Sequence, residues 1–383
     1  MKLLIKGGQI HDAIHKEAYV ADILAEDGKI IKIEKDILVK DEVNVVNAEG
    51  LNVYPGLVEA HGHIGLDGYG IGFEGQDYNE YNDILTPHLR AIDGINPLDE
   101  TLHQAALGGV TTVSTGPGSS NVVGGTFTAI KMTGKRVDQM IIKEQVAMKC
   151  AFGENPKRCY KDKNNCSRMS TAAKLREILF QAKEYQGKLL AAGDDITKKP
   201  AFNMKLEALL PVLNREIPLK CHAHRADDIF TAIRIAKEFN LKLTIEHCTE
   251  GHLIVDELVK ENVPVAVGPS FGHATKYELR NKTFETPGIL AKAGLKVSII
   301  TDSPVTPQQY LSLCAGLAVK SGMDAFDALQ AITINPALHI GIEDRVGSLE
   351  VGKDADIVIA DGDILESSTK VLYTFIDGKQ IEA

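Results

Sequence analysis

Apolar positions along the chain fall into two textures. In the first some 53 residues, short apolar runs at 3–6, 21–25 and 30–33 are separated by turn signals, with Glu26-Asp27-Gly28-Lys29 reading as a hairpin turn. The same texture returns near the end, where runs at 354–359 and 371–376 precede the turn Asp377-Gly378-Lys379. This pattern predicts strands at both ends and one composite β-domain, residues 1–54 with 345–383, around an inserted segment 55–344.

Inside the insert, short apolar strands alternate with helical stretches, the signature of βα units around a parallel sheet. Candidate strands fall at 57–64, 111–115, 127–131, 145–150, 219–224, 243–247, 264–268 and 296–302. Eight strands close a (β/α)8 barrel of the TIM type, and an open doubly wound sheet is the alternative arrangement. The predicted fold class is therefore α/β, a TIM-type barrel carrying a small β-sandwich domain built from both chain ends. Helical periodicity is clear at 172–185, 228–239 and 322–331. Segments 65–97 and 155–170 follow neither period, and they read as long loops of the kind that cover a barrel mouth.

Catalytic groups of such barrels sit where strands end. Here the residues at those positions are metal ligands in type: His61 and His63 end the first strand, Lys149 lies in the fourth, His222 and His224 end the fifth, His247 ends the sixth and Asp302 the eighth. His61 and His63 share a face of an extended segment because strand side chains alternate, and Gly62 lets the backbone run close to what they bind. Each residue alone reads as an ordinary structural group, with Asp302 a helix cap and Lys149 a solvated lysine. Together they supply the imidazoles and carboxylate that Zn²⁺ and similar ions prefer.

Composition narrows the partners. With 383 residues, 44% of them hydrophobic and 25% charged, and a formal net charge of -10, the chain suits a soluble enzyme and offers no general attraction to nucleic acid or anionic lipid. Its opening apolar run is too short for a signal peptide and no stretch is long enough to span a bilayer, which points to the cytoplasm. Six cysteines without a CxxC pair disfavour a zinc ribbon or a disulfide framework. Gly70-Ile71-Gly72-Phe73-Glu74-Gly75 fits a dinucleotide fingerprint in letters, but it lacks the framing strand and helix and reads as a flexible loop. No G-x-S-x-G elbow and no cysteine nucleophile motif is present.

The run Pro55-Gly56-Leu57-Val58-Glu59-Ala60-His61-Gly62-His63, the histidine after strand five, Ile245-Glu246-His247, Thr301-Asp302 and the closing 347–358 segment together resemble the metal-dependent amidohydrolase superfamily. Within it the chain is most similar to the imidazolonepropionase-related amidohydrolases. The resemblance implies that His61 and His63 bind one metal, that His222 and His247 bind on the other side, and that Asp302 ligates the first ion and takes a proton from the attacking water. Lys149 matches the bridging carboxylated lysine of two-metal members, with Lys131 a weaker candidate, so one or two divalent ions, Zn²⁺ foremost, are implied.

The expected activity is hydrolysis of a non-peptide C–N bond, an amide or cyclic amide of a small molecule. Alternatives are an Xaa-Pro-type dipeptidase, a heterocycle deaminase or, from another class, a non-catalytic barrel scaffold. Candidate substrate contacts are His224, Arg225, Tyr69 and His273, with Tyr78, Asn79, Arg90 and Lys276 in similar loops. Oligomeric state has no readable signature, and a homo-oligomer is compatible with the chain.

Overall fold

In the computed structural model the described residues are 2–40, 42–69 and 71–382. Met1, Asp41 and Ala383 of the expected composite domain, and Gly70 of the glycine motif, lie outside them. The first residues form β1 (Lys2–Ile10), β2 (Tyr19–Glu26), β3 (Lys29–Glu34), β4 (Asn44–Asn47) and β5 (Asn52–Pro55). Eight strands follow: β6 (Leu57–Gly62), β7 (Val110–Thr115), β8 (Val123–Lys131), β9 (Ile141–Ala151), β10 (Leu219–Ala223), β11 (Leu243–His247), β12 (Val265–Val267) and β13 (Val297–Ile299). The chain ends with β14 (Ile357–Ala360), β15 (Val371–Ile376) and β16 (Lys379–Gln380).

Strands β6 to β13 pair in sequence order as one sheet that curls into a nearly closed TIM-type barrel. One feature departs from a regular (β/α)8 arrangement. β8 runs antiparallel to both β7 and β9, pairing Thr112 with Lys131 and Val123 with Cys150. The connection 116–122 is too short for a helical crossover, which takes about a dozen residues, and 132–140 holds no more than the 3₁₀ turn Val137–Gln139. Two of the expected helices are therefore replaced by hairpin turns, and β8 begins, rather than ends, at the mouth.

No ladder joins β6 to β13 among the described strands. The seam is closed by other means: Val58 N donates to Ile332 O at 2.9 Å, Ile299 N to Ala331 O at 2.8 Å and His63 N to Ser303 O at 2.8 Å. Across it reaches Glu59, whose Oε2 accepts from Thr301 N at 2.9 Å and Thr301 Oγ1 at 2.6 Å, while Oε1 accepts from His61 N at 3.1 Å. Burial pushes the Glu59 carboxyl up to about 7 against these hydrogen bonds. Mostly small and β-branched side chains, among them Val58, Ala60, Ala129, Ala147, Ala266 and Ile300, pack around Phe127 in the barrel.

β1 to β5 and β14 to β16 form the second sheet, in the order β16-β15-β14-β5-β1-β2-β3 with β4 also on β1. It is one continuous sheet in its hydrogen bonding where a sandwich of two was expected, and it encloses its own core of Leu3, Ile5, Ile23, Ile30, Ile357, Ile359 and Phe375.

The segment 155–170 is more ordered than its polar composition suggested. It contains most of the helix Glu154–Cys159 and the start of the helix Arg168–Ala192, where Ser167 and Ser170 bond each other's backbone N–H at 3.0 and 3.1 Å. These serines are caps, which a reading by apolar period mistakes for loop. Segment 65–97 stays irregular, with 3₁₀ turns at Phe73–Gly75 and Ala91–Asp93. It is pinned to β8 by Thr126 N donating to Leu89 O at 2.9 Å. Gly125 (φ +120°) permits that approach, since a Cβ there would stand 2.3 Å from the same carbonyl. Among the described residues no helix is long and apolar enough to cross a membrane.

The reversed strand also separates two lysines. Lys131, the weaker candidate for the metal-bridging position, ends β8 at the opposite end of the barrel, with Nζ 2.6 Å from Asp356, 3.0 Å from Asp354 and 3.2 Å from Asp377. There it ties the barrel to the second sheet. Burial alone would lower the Lys131 pKa, but the three carboxylates hold it above its ordinary value. Lys131→Met should cost about 3–5 kcal/mol in urea unfolding, because Asp356 is left buried and unpaired; a loss below about 1 kcal/mol would sink this assignment.

Candidate metal centre

Seven of the residues predicted at strand ends meet at one end of the barrel. His61 and His63 come from β6 and the position just after it, Lys149 from β9, His222 and His224 from β10 and its end, His247 from the last position of β11, and Asp302 from just beyond β13. Ring centroids of His61 and His63 are 5.4 Å apart, His61 and His247 5.2 Å, His222 and His247 4.3 Å, and His222 and His224 4.6 Å. Asp302 Oδ1 lies 3.2 Å from His63 Nε2 and 3.5 Å from His61 Nε2, and Lys149 Nζ lies 3.1 Å from His61 Nε2.

Backbone geometry turns two of these groups into the mouth. His247 (φ +72°) and Asp302 (φ +50°) both adopt the left-handed conformation, which costs most side chains more than it costs His and Asp. The rings are then fixed through their far nitrogens. His63 Nδ1 donates to Gly116 O at 2.7 Å and His247 Nδ1 to Gly268 O at 2.8 Å, while His222 Nδ1 meets Ser119 Oγ at 2.9 Å and His224 Nδ1 meets Thr249 Oγ1 at 2.7 Å. An imidazole held at Nδ1 presents Nε2 with a defined tautomer, the usual outer-shell arrangement of metal-binding histidines.

Four of the inward atoms have no hydrogen-bonding partner. His222 Nε2, His224 Nε2, His247 Nε2 and Asp302 Oδ1 are buried without a hydrogen bond, a costly state unless a ligand completes it. Donor atoms of His222, His224 and His247 lie within 4.8 Å of one another, as do those of His61, His247 and Asp302, so His247 belongs to both groups. Burial holds His61, His222 and His224 well below the ordinary histidine range and His247 down to about 4. Burial would raise Asp302, but the electrostatic attraction of His247 and of His63, whose Nε2 lies 3.2 Å away, keeps it well below the usual carboxylate range. Neutral imidazoles beside an ionised carboxylate are the protonation states that metal binding needs, and the donor set suits Zn²⁺ or a similar ion.

Beneath the cluster runs a buried ionic network that the sequence reading missed. Glu246 Oε2 is 2.9 Å from Lys220 Nζ, and its Oε1 meets His339 Nε2 at 2.9 Å and Thr244 Oγ1 at 2.7 Å. His61 Nδ1 stands 3.1 Å from Glu246 Oε2 but out of hydrogen-bonding alignment. A signal existed: Lys220 lies two residues before His222, on the same face of β10, and Glu246 is the register partner of His222. Glu59 and Glu278 were missed as well, since each is a single acid in an unremarkable context.

Of the proposed substrate contacts the structure brings His224 and Tyr78 to the cluster. Tyr69 is exposed and its Oη bonds Gln104 at 2.6 Å, Arg225 pairs with Asp227 at 2.7 Å, and His273 lies exposed. Arg90 pairs with Asp93 and Glu144. Tyr78, by contrast, lays its ring 5.2 Å from that of His63, beside a cavity of about 870 Å³ also lined by Asn79, His88, Arg90, Pro117 and Gly124.

Residues 52–381 match the model of the amidohydrolase family. A solved structure described as an amidohydrolase from Thermotoga maritima superposes with a TM-score of 0.96 at 39% identity, over 99% of both chains. Amidohydrolase tasK of Hapsidospora irregularis is 27% identical over 94% of this chain and 40% of its own length. Imidazolonepropionase of Streptococcus pyogenes is 28% identical over 44% of this chain and 40% of its own length. The chain thus spans well under two thirds of the length of these two curated relatives.

The depressed imidazoles carry a pH signature. An unfolded histidine titrates near about 6.5 and folded His247 near about 4, so between those values the unfolded state binds more protons. The His247 contribution to stability of the metal-free protein should therefore fall as pH drops from about 6.5 toward about 4 and level off below. Urea midpoints measured across that window should show a shallower slope for His247→Gln; an unchanged slope would assign the effect to other groups.

Proposed function

The chain belongs to the amidohydrolase family, and we propose that it is a metal-dependent hydrolase cleaving a C–N bond in a small non-peptide amide, cyclic amides included. The observation that carries the reading is the convergence of unpartnered, buried His222 Nε2, His247 Nε2 and Asp302 Oδ1 at the barrel mouth. His61, His63 and Asp302 would hold a divalent ion, with His222 and His247 as ligands on the other side and Lys149 between. Zn²⁺ fits this donor set best. When bound, the ion acidifies water and polarises the amide carbonyl.

The chain's own groups supply the rest. Asp302, ionised at neutral pH, accepts a proton at a carboxylate oxygen and returns it to the departing nitrogen. Burial brings the Lys149 amine down to about 8, so a neutral fraction, the form carboxylation requires, is present near neutral pH. Tyr78 and the cavity beside it offer a small molecule an approach to His63. Relatives named for imidazolonepropionase activity favour a cyclic amide. We also read residues 1–54 with 345–383 as a single supporting domain.

The test is release of an amine or carboxylate from a panel of linear and cyclic amides by the metal-loaded protein. Ammonia from a heterocycle would instead establish a deaminase, and turnover confined to Xaa-Pro dipeptides a dipeptidase. On whichever substrate turns over, Asp302→Asn should keep its fold and most of its metal while kcat falls by about 10²–10⁴; near wild-type turnover would remove Asp302 from the proton-transfer role.

A further inference from the structure

His224 and Glu278 remain without a role in the reading above, yet they carry two of the buried polar atoms that no protein group satisfies. Glu278 sits in the 3₁₀ turn Tyr277–Leu279, after β12, and its carboxylate is fully buried. One oxygen is anchored: Oε2 accepts from Glu154 N at 2.8 Å and lies 3.8 Å from Arg168 Nη2. The other, Oε1, has no hydrogen bond and points between two imidazoles, 3.9 Å from His222 Nε2 and 3.8 Å from His224 Nε2. These spacings exceed a hydrogen bond. They approach the separation of two ligands on one ion, about 3.4 Å for a tetrahedral site with bonds of about 2.1 Å.

Two further observations point the same way. His224 is prepared as His222 and His247 are, with Nδ1 held by Thr249 Oγ1 and Nε2 free. Glu278 also needs room that a glycine provides: a Cβ at Gly153 (φ +83°) would stand 2.3 Å from Oε2. Lys276 Nζ, 3.5 Å from Oε1, is half-buried at the rim and does not hydrogen-bond that oxygen. Three neutral imidazoles and one anchored carboxylate are a complete ligand set for a borderline divalent ion.

We propose that His224 and Glu278 are metal ligands, completing with His222 and His247 a four-donor site for a second divalent cation of the Zn²⁺ type. This rests on the metal-dependent reading above and adds two ligands and a stoichiometry to it. The second ion is then held by protein donors alone, whatever the state of Lys149.

The experiment is elemental analysis of the full-length protein after Zn²⁺ reconstitution and desalting, for the wild type, Glu278→Gln and His224→Gln, with circular dichroism as the fold check. About two equivalents in the wild type, falling to about one in both variants, is expected. Two equivalents retained by either variant would overturn the assignment of that residue. One equivalent in the wild type would overturn the second site and leave a one-metal hydrolase standing, whereas none would remove both readings. Should a variant not fold, a zinc-edge anomalous map of wild-type crystals decides: a second peak within about 2.3 Å of His224 Nε2 and Glu278 Oε1 supports the site, and a second peak away from either, or no second peak, overturns it.

Discussion

Imidazoles packed into the dry end of a barrel are tolerable because four of them are tied at their outer nitrogen, and that constraint organises the whole site. Gly116 O, Ser119, Thr249 and Gly268 O hold four rings at Nδ1, and Glu246 stands behind His61. The anchors come from the loops after β7, β11 and β12, so the sheet order that brings the imidazoles together also delivers what orients them. What is left over is a set of inward atoms with no partner, and their desolvation favours uncharged rings. The price is a stretch of stability, which a cation bound there would restore.

Glu246 does for the underside what those anchors do above. Burial would push its carboxyl up, yet Lys220 and His339 hold it well below its ordinary value, so the layer beneath the ligands stays ionised. A buried carboxylate shared among Lys220, His339 and Thr244 is worth little net stability compared with an apolar replacement, but removing one member strands the rest. The network is better understood as fixing the position of His61 relative to β10 and β11.

Much of this was legible in the chain. Strand ends carried the histidines and the aspartate that converge at the mouth, period-two alternation placed His61 with His63, and the alternation of strands and helices gave the barrel. What periodicity could not show was direction: an antiparallel strand has the same apolar pattern as a parallel one, and so Lys131 stayed a candidate, though a weaker one, beside Lys149. The shortness of 116–122 held that information, since a crossover helix cannot fit there. Glu246, Lys220 and Glu59 were hidden for another reason. A charged residue inside a strand is ordinarily solvated, and its pairing partner lies far away in sequence, as Thr301 does for Glu59. Ser167 and Ser170 were hidden by composition, because polar caps and polar loops are written in the same letters.

The seam between β6 and β13 gives the arrangement its last constraint. The HxH strand and the strand that leads to Asp302 are neighbours without a ladder, so their relative height is not set by regular backbone pairing. It is set instead by His63 N on Ser303 O and by the Glu59 carboxylate, which grips Thr301 on one side and the backbone of His61 on the other. Both contacts involve a residue within one position of Asp302, and both end on residues of the HxH motif or two positions before it. A displacement of the seam would therefore move Asp302 Oδ1 against His61 and His63 directly, with no helix or loop to absorb it. Closure at this junction by a single backbone bond and a buried side chain, where a ladder would otherwise suffice, makes the spacing of carboxylate and imidazoles depend on His63 N–Ser303 O and on Glu59 together.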